Sequence, residues 1–191
     1  KSSFLYSTGW MRSLEKFNPV DKDGNPVPWM NYSVISFLAA RLTDDLSLFE
    51  FGSGQSTKFF ASKVRSVTSV EHDESWFKTL GISLPENVEL NYLEEDIDGM
   101  YSRFINSTGR TYDIVVVDGR DRVNCIKHSV EALSEKGVIL LDDSQREKYL
   151  EGINFLKKEG YRSLDFEGFK PTGDGIDKTT LFYRSENCLG V

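Results

Sequence analysis

The run Ile114-Val115-Val116-Val117 constrains this chain more than any other segment. Four β-branched residues in a row, with no polar alternation, fit a strand buried on both faces. Such strands sit at the centre of a parallel sheet covered by helices on both sides. Val138-Ile139-Leu140-Leu141 is a second strand of the same kind. Parallel neighbours need crossover connections, so helical periods should alternate with strand runs. They do. Val34, Ile35, Leu38 and Leu42 repeat at helical spacing, and a strand over 46–50 follows. The pattern continues with a helix over 55–64, a strand over 66–71, a helix over 74–80 and strands over 88–93 and 112–118. Val123, Ile126, Val130 and Leu133 then mark a helix face, 137–141 a fifth strand, and Tyr149, Leu150, Ile153 and Leu156 another helix. Two strands near 161–166 and 178–184 close the chain.

With 191 residues, 39% hydrophobic and 13% aromatic, the chain reads as one domain able to bury roughly 70% of its unfolded surface. Residues 1–30 form an N-terminal arm and loop, and 31–191 the main body. Pro19, Pro26 and Pro28 flank the turn-rich Asp21-Lys22-Asp23-Gly24-Asn25; without the spaced third acid and the closing Glu this is a surface turn, not a calcium loop. A net charge of −7 argues against a nucleic-acid binder and against docking on anionic membranes. The apolar runs fall far short of the ~20 residues that span a bilayer. Cys125 and Cys188 form no CxxC, and with His72 and His128 they give no zinc spacing. Two free thiols agree with a cytoplasmic location. The chain begins at Lys1, so residues could precede it.

In a parallel sheet, ligands bind at the carboxyl ends of the strands, near the switch in strand order. Polar residues gather there: Glu50, Glu71, Glu94-Glu95-Asp96, Asp118 and Asp142-Asp143. The first strand runs into Gly52-Ser53-Gly54-Gln55-Ser56-Thr57, a turn that allows close backbone approach and opens a helix N-terminus to a ligand. Glu71 follows about twenty residues on, where a carboxylate can accept both ribose hydroxyls. Together they indicate a nucleoside-containing ligand. A nicotinamide cofactor would want glycine at Thr57 and no acid at Glu50, because its pyrophosphate must enter the turn. An acid at Glu50 suits a cationic amine instead, such as that of S-adenosylmethionine.

At these residues the sequence resembles the class I S-adenosylmethionine-dependent methyltransferases, over roughly 49–184. Glu50-Phe51-Gly52-Ser53-Gly54-Gln55-Ser56-Thr57 is similar to the family's first motif, with Ser56 where a third glycine commonly stands. Val70-Glu71-His72 resembles the ribose-binding motif, Asp96 (with Glu95 as rival) falls where the family contacts adenine, and Tyr112–Gly119 and Gly137–Asp143 resemble the later motifs. The resemblance implies a Rossmann-like three-layer α/β/α sandwich, its seven-stranded sheet mostly parallel, with an antiparallel last strand inserted between strands five and six. More narrowly, Ser7-Thr8-Gly9-Trp10, Pro28-Trp29-Met30 and Asn187-Cys188-Leu189-Gly190 resemble small bacterial methyltransferases of polysaccharide-type clusters and a plant polysaccharide O-methyltransferase group.

That resemblance implies methyl transfer to oxygen of a sugar-like or other small polar acceptor, a small molecule or glycan. Its cofactor-binding residues would be Glu50, Gly52, Ser53, Gly54, Ser56, Thr57, Glu71, His72, Asp96 and Asp118. Asp118 and Asp143 would be catalytic, and Arg122 and Asp142 would bind the acceptor. Asp118, Asp142 and Asp143 are alternatively a Mg²⁺ set, since acids after these two strands hold that ion in catechol-type enzymes. Asp143 or Ser144 could instead cap a helix starting near Gln145. Arg120 or Arg122 could hold an acidic acceptor or pair with surface acids. Trp29 and Met30 are lid or core, His72 packs near adenine or belongs to a loop, and His128 faces solvent. Two rivals stand beside this reading: a non-catalytic nucleoside-cofactor-binding protein on the same fold, and an NAD(P)-dependent oxidoreductase.

Overall fold

A computed structural model describes residues 3–191. Seven strands form one sheet: β1 (Ser47–Phe51), β2 (Ser66–Glu71), β3 (Val88–Tyr92), β4 (Tyr112–Val117), β5 (Leu133–Leu141), β6 (Arg162–Gly168) and β7 (Asp177–Tyr183). Their order is β3-β2-β1-β4-β5-β7-β6. Strands β1 to β5 pair in parallel, and β7 lies antiparallel between β5 and β6. The strand order therefore reverses between β1 and β4. This is the three-layer arrangement expected, including the inserted antiparallel strand.

Period-two geometry explains why β1 and β4 carry no alternation. Leu48, Ile114 and Val116 face one side, where they pack with Val34 and Leu38 of α3 (Tyr32–Ala39) and Phe60 of α4 (Gln55–Ala61). Phe49, Phe51, Val115 and Val117 face the other. There they meet Tyr101 and Ile105 of α6 (Met100–Ser107), Cys125 and Ile126 of α7 (Arg122–Ser129) and Leu156 of α8 (Leu150–Lys158). Burial of each such side chain contributes about 1.5–3 kcal/mol relative to exposure. Between β2 and β3 runs α5 (Glu74–Gly81), started by Asp73, whose side chain accepts from the Trp76 amide.

Several boundaries differ from the sequence reading. Helix α6 was not expected; it makes the crossover that parallel β3 and β4 require. Helix α7 stops at Ser129, a 3₁₀ turn covers Val130–Ala132, and β5 begins at Leu133 rather than Gly137. Apolar Val130 and Leu133 thus continue the core but not the helix. No helix begins near Gln145; a 3₁₀ turn at Glu147–Tyr149 leads into α8. The arm holds α1 (Phe4–Ser7) and α2 (Trp10–Lys16) and is pinned to the body, Trp10 Nε1 donating to Gly173 O at 2.8 Å. The Asp21–Asn25 turn is organised by Asp21 Oδ1, which accepts from the amides of Asp23 and Asn25.

Fully buried Asn31 joins three elements. Its Oδ1 caps α3 by accepting from Val34 N, and its Nδ2 donates to Phe166 O and to Thr179 Oγ1. Asn31→Ala removes the cap and strands buried acceptors, so urea unfolding should show a loss of about 2–4 kcal/mol.

Candidate functional site

A cleft opens at the carboxyl ends of β1, β2 and β4, at the reversal in strand order. Its form depends on how closely two backbones approach. Gly52 has φ +88, and a Cβ there would lie 2.9 Å from Gly119 Cα. A Cβ on Gly119 would in turn meet Tyr101 Oη and the Gly52 amide. Gly52 thus serves the junction of β1 with the end of β4, and it lines the first lobe of the cleft as well. Gly54 lines the cleft too, and a Cβ there would find nothing nearer than Ser56 Oγ at 3.9 Å.

The cleft has two lobes, of about 480 and 460 Å³. Glu71, His72, Asp73 and Gly119 line the first. Phe17, Pro19 and Trp29 from the arm, with Gly54 and Gln55, line the second. Ser53, Ser56, Trp76 and Asp118 line both. Trp29 is half exposed on the cleft wall and Met30 is wholly buried core, which separates the two readings of that pair.

Glu71 is tightly held. Its Oε2 accepts from the Ser53 amide at 3.0 Å and the Ser53 hydroxyl at 2.7 Å, and its Oε1 from the amides of His72 and Asp73. These use the four acceptor positions of a carboxylate. For Glu71 to accept a ribose hydroxyl, the Ser53 hydroxyl must turn aside. His72 lines the first lobe, and its Nε2 accepts from Arg120 Nε at 3.1 Å.

Glu50 lies under the turn, fully buried. Thr57 Oγ1 donates to its Oε2 at 2.6 Å and itself accepts from the Gly54 amide, and Ser69 Oγ lies 3.2 Å from the same oxygen. Glu50 Oε1 has no partner. Burial pushes the Glu50 carboxyl up to about 7, against hydrogen bonds that lower it. An unpartnered buried carboxylate oxygen beneath an open glycine turn fits a cationic group arriving from the cleft.

Past β4 and β5 the three aspartates come together, with one oxygen of each within 4.8 Å of the others. Three cations meet them. Buried Arg122 donates from Nη2 to Asp118 Oδ1 at 2.8 Å and lies 3.6 Å from Asp143. Lys170 and Arg146 reach Asp143 at 2.9 and 2.7 Å. Burial raises the carboxyls of Asp118 and Asp142; Arg122 opposes the rise at Asp118 while Asp143 and Glu50 reinforce it, and Asp118 and Asp143 reinforce the rise at Asp142. The oxygen set has the chemistry for a hard divalent ion, but its charge is already balanced by these side chains.

Several expected roles change. Asp143, expected as catalytic, is buried in its ion pairs, does not line the cleft and caps no helix. Asp142 is buried against Thr179 Oγ1 at 2.6 Å and lines neither lobe of the cleft. Arg122 is spent on the carbonyls of Asp118, Gly119 and Asp142 and on the Asp118 carboxylate. Asp96 gives both oxygens to the Met100 and Tyr101 amides at the start of α6. His128 pairs with Asp98 at 2.8 Å. Sequence reasoning missed Trp76, whose Nε1 donates to Ser53 O, and Phe17, Asn18 and Pro19 of the second lobe, whereas it offered Trp29 as lid or core. A tryptophan in the first turn after the β2 acid was a usable signal for the former.

No family model matches the chain, and no curated protein matches it in sequence. Solved structures do match. An O-methyltransferase structure from Klebsiella pneumoniae, itself assigned only provisionally, superposes with a TM-score of 0.62 at 16% identity, over 96% of this chain and 90% of that one. Precorrin-6y C5,15-methyltransferase from Geobacter metallireducens gives 0.59 at 16%, over 80% and 87%. Precorrin 8w decarboxylase from Methanobacterium thermoautotrophicum gives 0.58 at 18%, over 79% and 87%. At such identities the likeness establishes the fold: this chain has the Rossmann-like fold of methyltransferase structures.

The charge on Glu50 yields a pH test. Its folded value lies above the ordinary carboxylate value of 4.5, so the stability it contributes is present below pH 4.5 and is lost as pH rises through about 7. The loss is about 3 kcal/mol. Glu50→Gln should flatten this part of the profile and leave the ligand-free protein more stable at pH 8, as read by urea unfolding across pH.

Proposed function

We propose that this protein is an S-adenosylmethionine-dependent methyltransferase that methylates oxygen on a sugar-like or other small polar acceptor. The observation that carries the proposal is the meeting of the two lobes at Asp118. One lobe has a ribose-type carboxylate and a glycine turn over a buried acid. The other has flat aromatic walls. A sugar presents apolar C–H faces with hydroxyls at the edge, and Phe17 and Trp29 offer surfaces for such a face while Asp118 sits at the junction.

The cofactor, when bound, supplies a methyl group on a positively charged sulfur. The chain supplies recognition and proton transfer. Glu50, through its free oxygen, and Asp118 provide negative charge for the cofactor's amine. Glu71 takes a ribose hydroxyl once the Ser53 hydroxyl turns aside. Gly54 and Ser56 leave room along the turn. Arg122 fixes Asp118 through Oδ1, so Oδ2 is the oxygen positioned to take the acceptor's hydroxyl proton as that oxygen gains the methyl group. Trp76 walls both lobes at their junction. Asp142, Asp143 and Lys170 are positioning residues here, holding the β5 end and the loop before β7 around Asp118. A buried acid beneath the turn disfavours a pyrophosphate, and with it the nicotinamide alternative.

Calorimetry should show S-adenosylhomocysteine binding and NAD not binding; the reverse would sink the assignment. Glu71→Gln should weaken S-adenosylhomocysteine at least tenfold, within the ~1.5–3 kcal/mol range for hydrogen bonds to charged groups. Ser53→Ala should bind as well as the wild type or better, because it frees one acceptor position on Glu71. Gly54→Val should abolish binding yet unfold normally. For turnover, Asp118→Asn should lower kcat by about 10²–10⁴, and chelator should leave it unchanged. A folded Asp118→Asn enzyme with wild-type kcat would remove Asp118 from proton transfer.

A further inference from the structure

Beyond the cleft, a third cavity of about 280 Å³ lies between the starts of α7 and α8, where the net-negative chain concentrates positive charge. Arg120, Arg122, Arg146 and Lys148 line it, against Glu95 and Asp121. The cations differ in their engagements. Arg122 is consumed by four hydrogen bonds. Arg146 gives one nitrogen to Asp143 and keeps the rest of its fork. Arg120 uses only Nε, on His72 and at 3.6 Å from Glu95. Lys148 has no carboxylate partner among the described residues, its Nζ lying 5.0 Å from the Tyr149 ring. The cavity is also backed by the first turn of α7, which no side chain at Asp121 caps. Uncapped amides and the positive helix end favour the same charge. Arg120 and Arg122 line the first lobe as well, so the cavity adjoins the cleft.

We infer that this cavity, beside the first lobe of the cleft, binds a phosphoryl group through Arg120, Arg146 and Lys148. Two guanidinium forks and an ammonium around one small cavity match the several oxygens of a phosphate better than the two of a carboxylate. The anion site does not rest on the methyltransferase reading.

The test is calorimetric titration of the intact chain at low salt with inorganic phosphate and glucose 1-phosphate, beside glucose and acetate. The expected result is binding of both phosphates at one site, with glucose and acetate at least tenfold weaker. Lys148→Glu and the milder Lys148→Gln, both on the exposed rim, should weaken phosphate at least tenfold with S-adenosylhomocysteine affinity unchanged. Absence of phosphate binding, acetate binding as tightly as phosphate, or wild-type phosphate affinity in both Lys148 variants would overturn the inference. Phosphate binding without S-adenosylhomocysteine binding would support the anion site while sinking the methyltransferase reading.

Discussion

The guanidinium of Arg122 holds together the ligand-facing end of the sheet. Carbonyls at the ends of β4 and β5 have run out of strand partners, and an unpaired carbonyl in a buried place costs as much as a lost hydrogen bond. Arg122 serves three of them, Asp118, Gly119 and Asp142, and bonds the Asp118 carboxylate as well. Burying a charge costs several kcal/mol unless partners offset it. Here the aspartates that gather at the strand ends are those partners, so the cation and the acids depend on each other for their burial. A lysine could not replace it, because a single ammonium cannot span two strand ends with a planar fork.

From that anchored end the close approach of Gly52 to Gly119 follows. With Asp118 N donating to Phe51 O at 3.1 Å, the ends of β1 and β4 are drawn together until only glycines fit between them. The turn after β1 must then leave the sheet at once. Ser53 is caught by Glu71 from β2 and by Trp76 from α5. The mouth of the cleft is therefore set by contacts between neighbouring crossovers, and its chemistry depends on packing behind it.

The sheet could be read from the chain because strands buried on both faces leave an unmistakable trace: unbroken apolar runs at β4 and β5. Helix α6 left little trace. Only Tyr101, Ser102 and Ile105 of its eight residues are buried, and its capping acid, Asp96, lies before Asp98 in a left-handed conformation, outside the usual capping position. The same limit applied to the site. The rule that ligands bind at strand ends located Glu71, Ser53, Gly54 and Asp118 along the cleft. It could not say which acids point into the cleft and which turn back to neighbours, as Asp96, Asp142 and Asp143 do. Nor could it bring Phe17 and Trp29 across from the arm, a contact between distant segments with no local periodicity to mark it.

Thr57 connects these themes. In a dinucleotide turn a third glycine would stand at this place and let helix and strand pack closely. Here a buried threonine takes the space and uses its hydroxyl twice, donating to Glu50 and accepting from the Gly54 amide. The turn is thereby tied to a carboxylate, and its geometry depends on that acid's hydrogen bonding. One Glu50 oxygen is satisfied from within the fold and the other is left without a partner, at a cost in stability wherever the acid is ionised. The hydroxyl of nearby Ser56 offsets part of that cost, and a positive charge delivered from the cleft would offset more. The departure from the glycine pattern and the buried acid two residues before it are therefore one device, suited to a cationic ligand and hostile to a pyrophosphate.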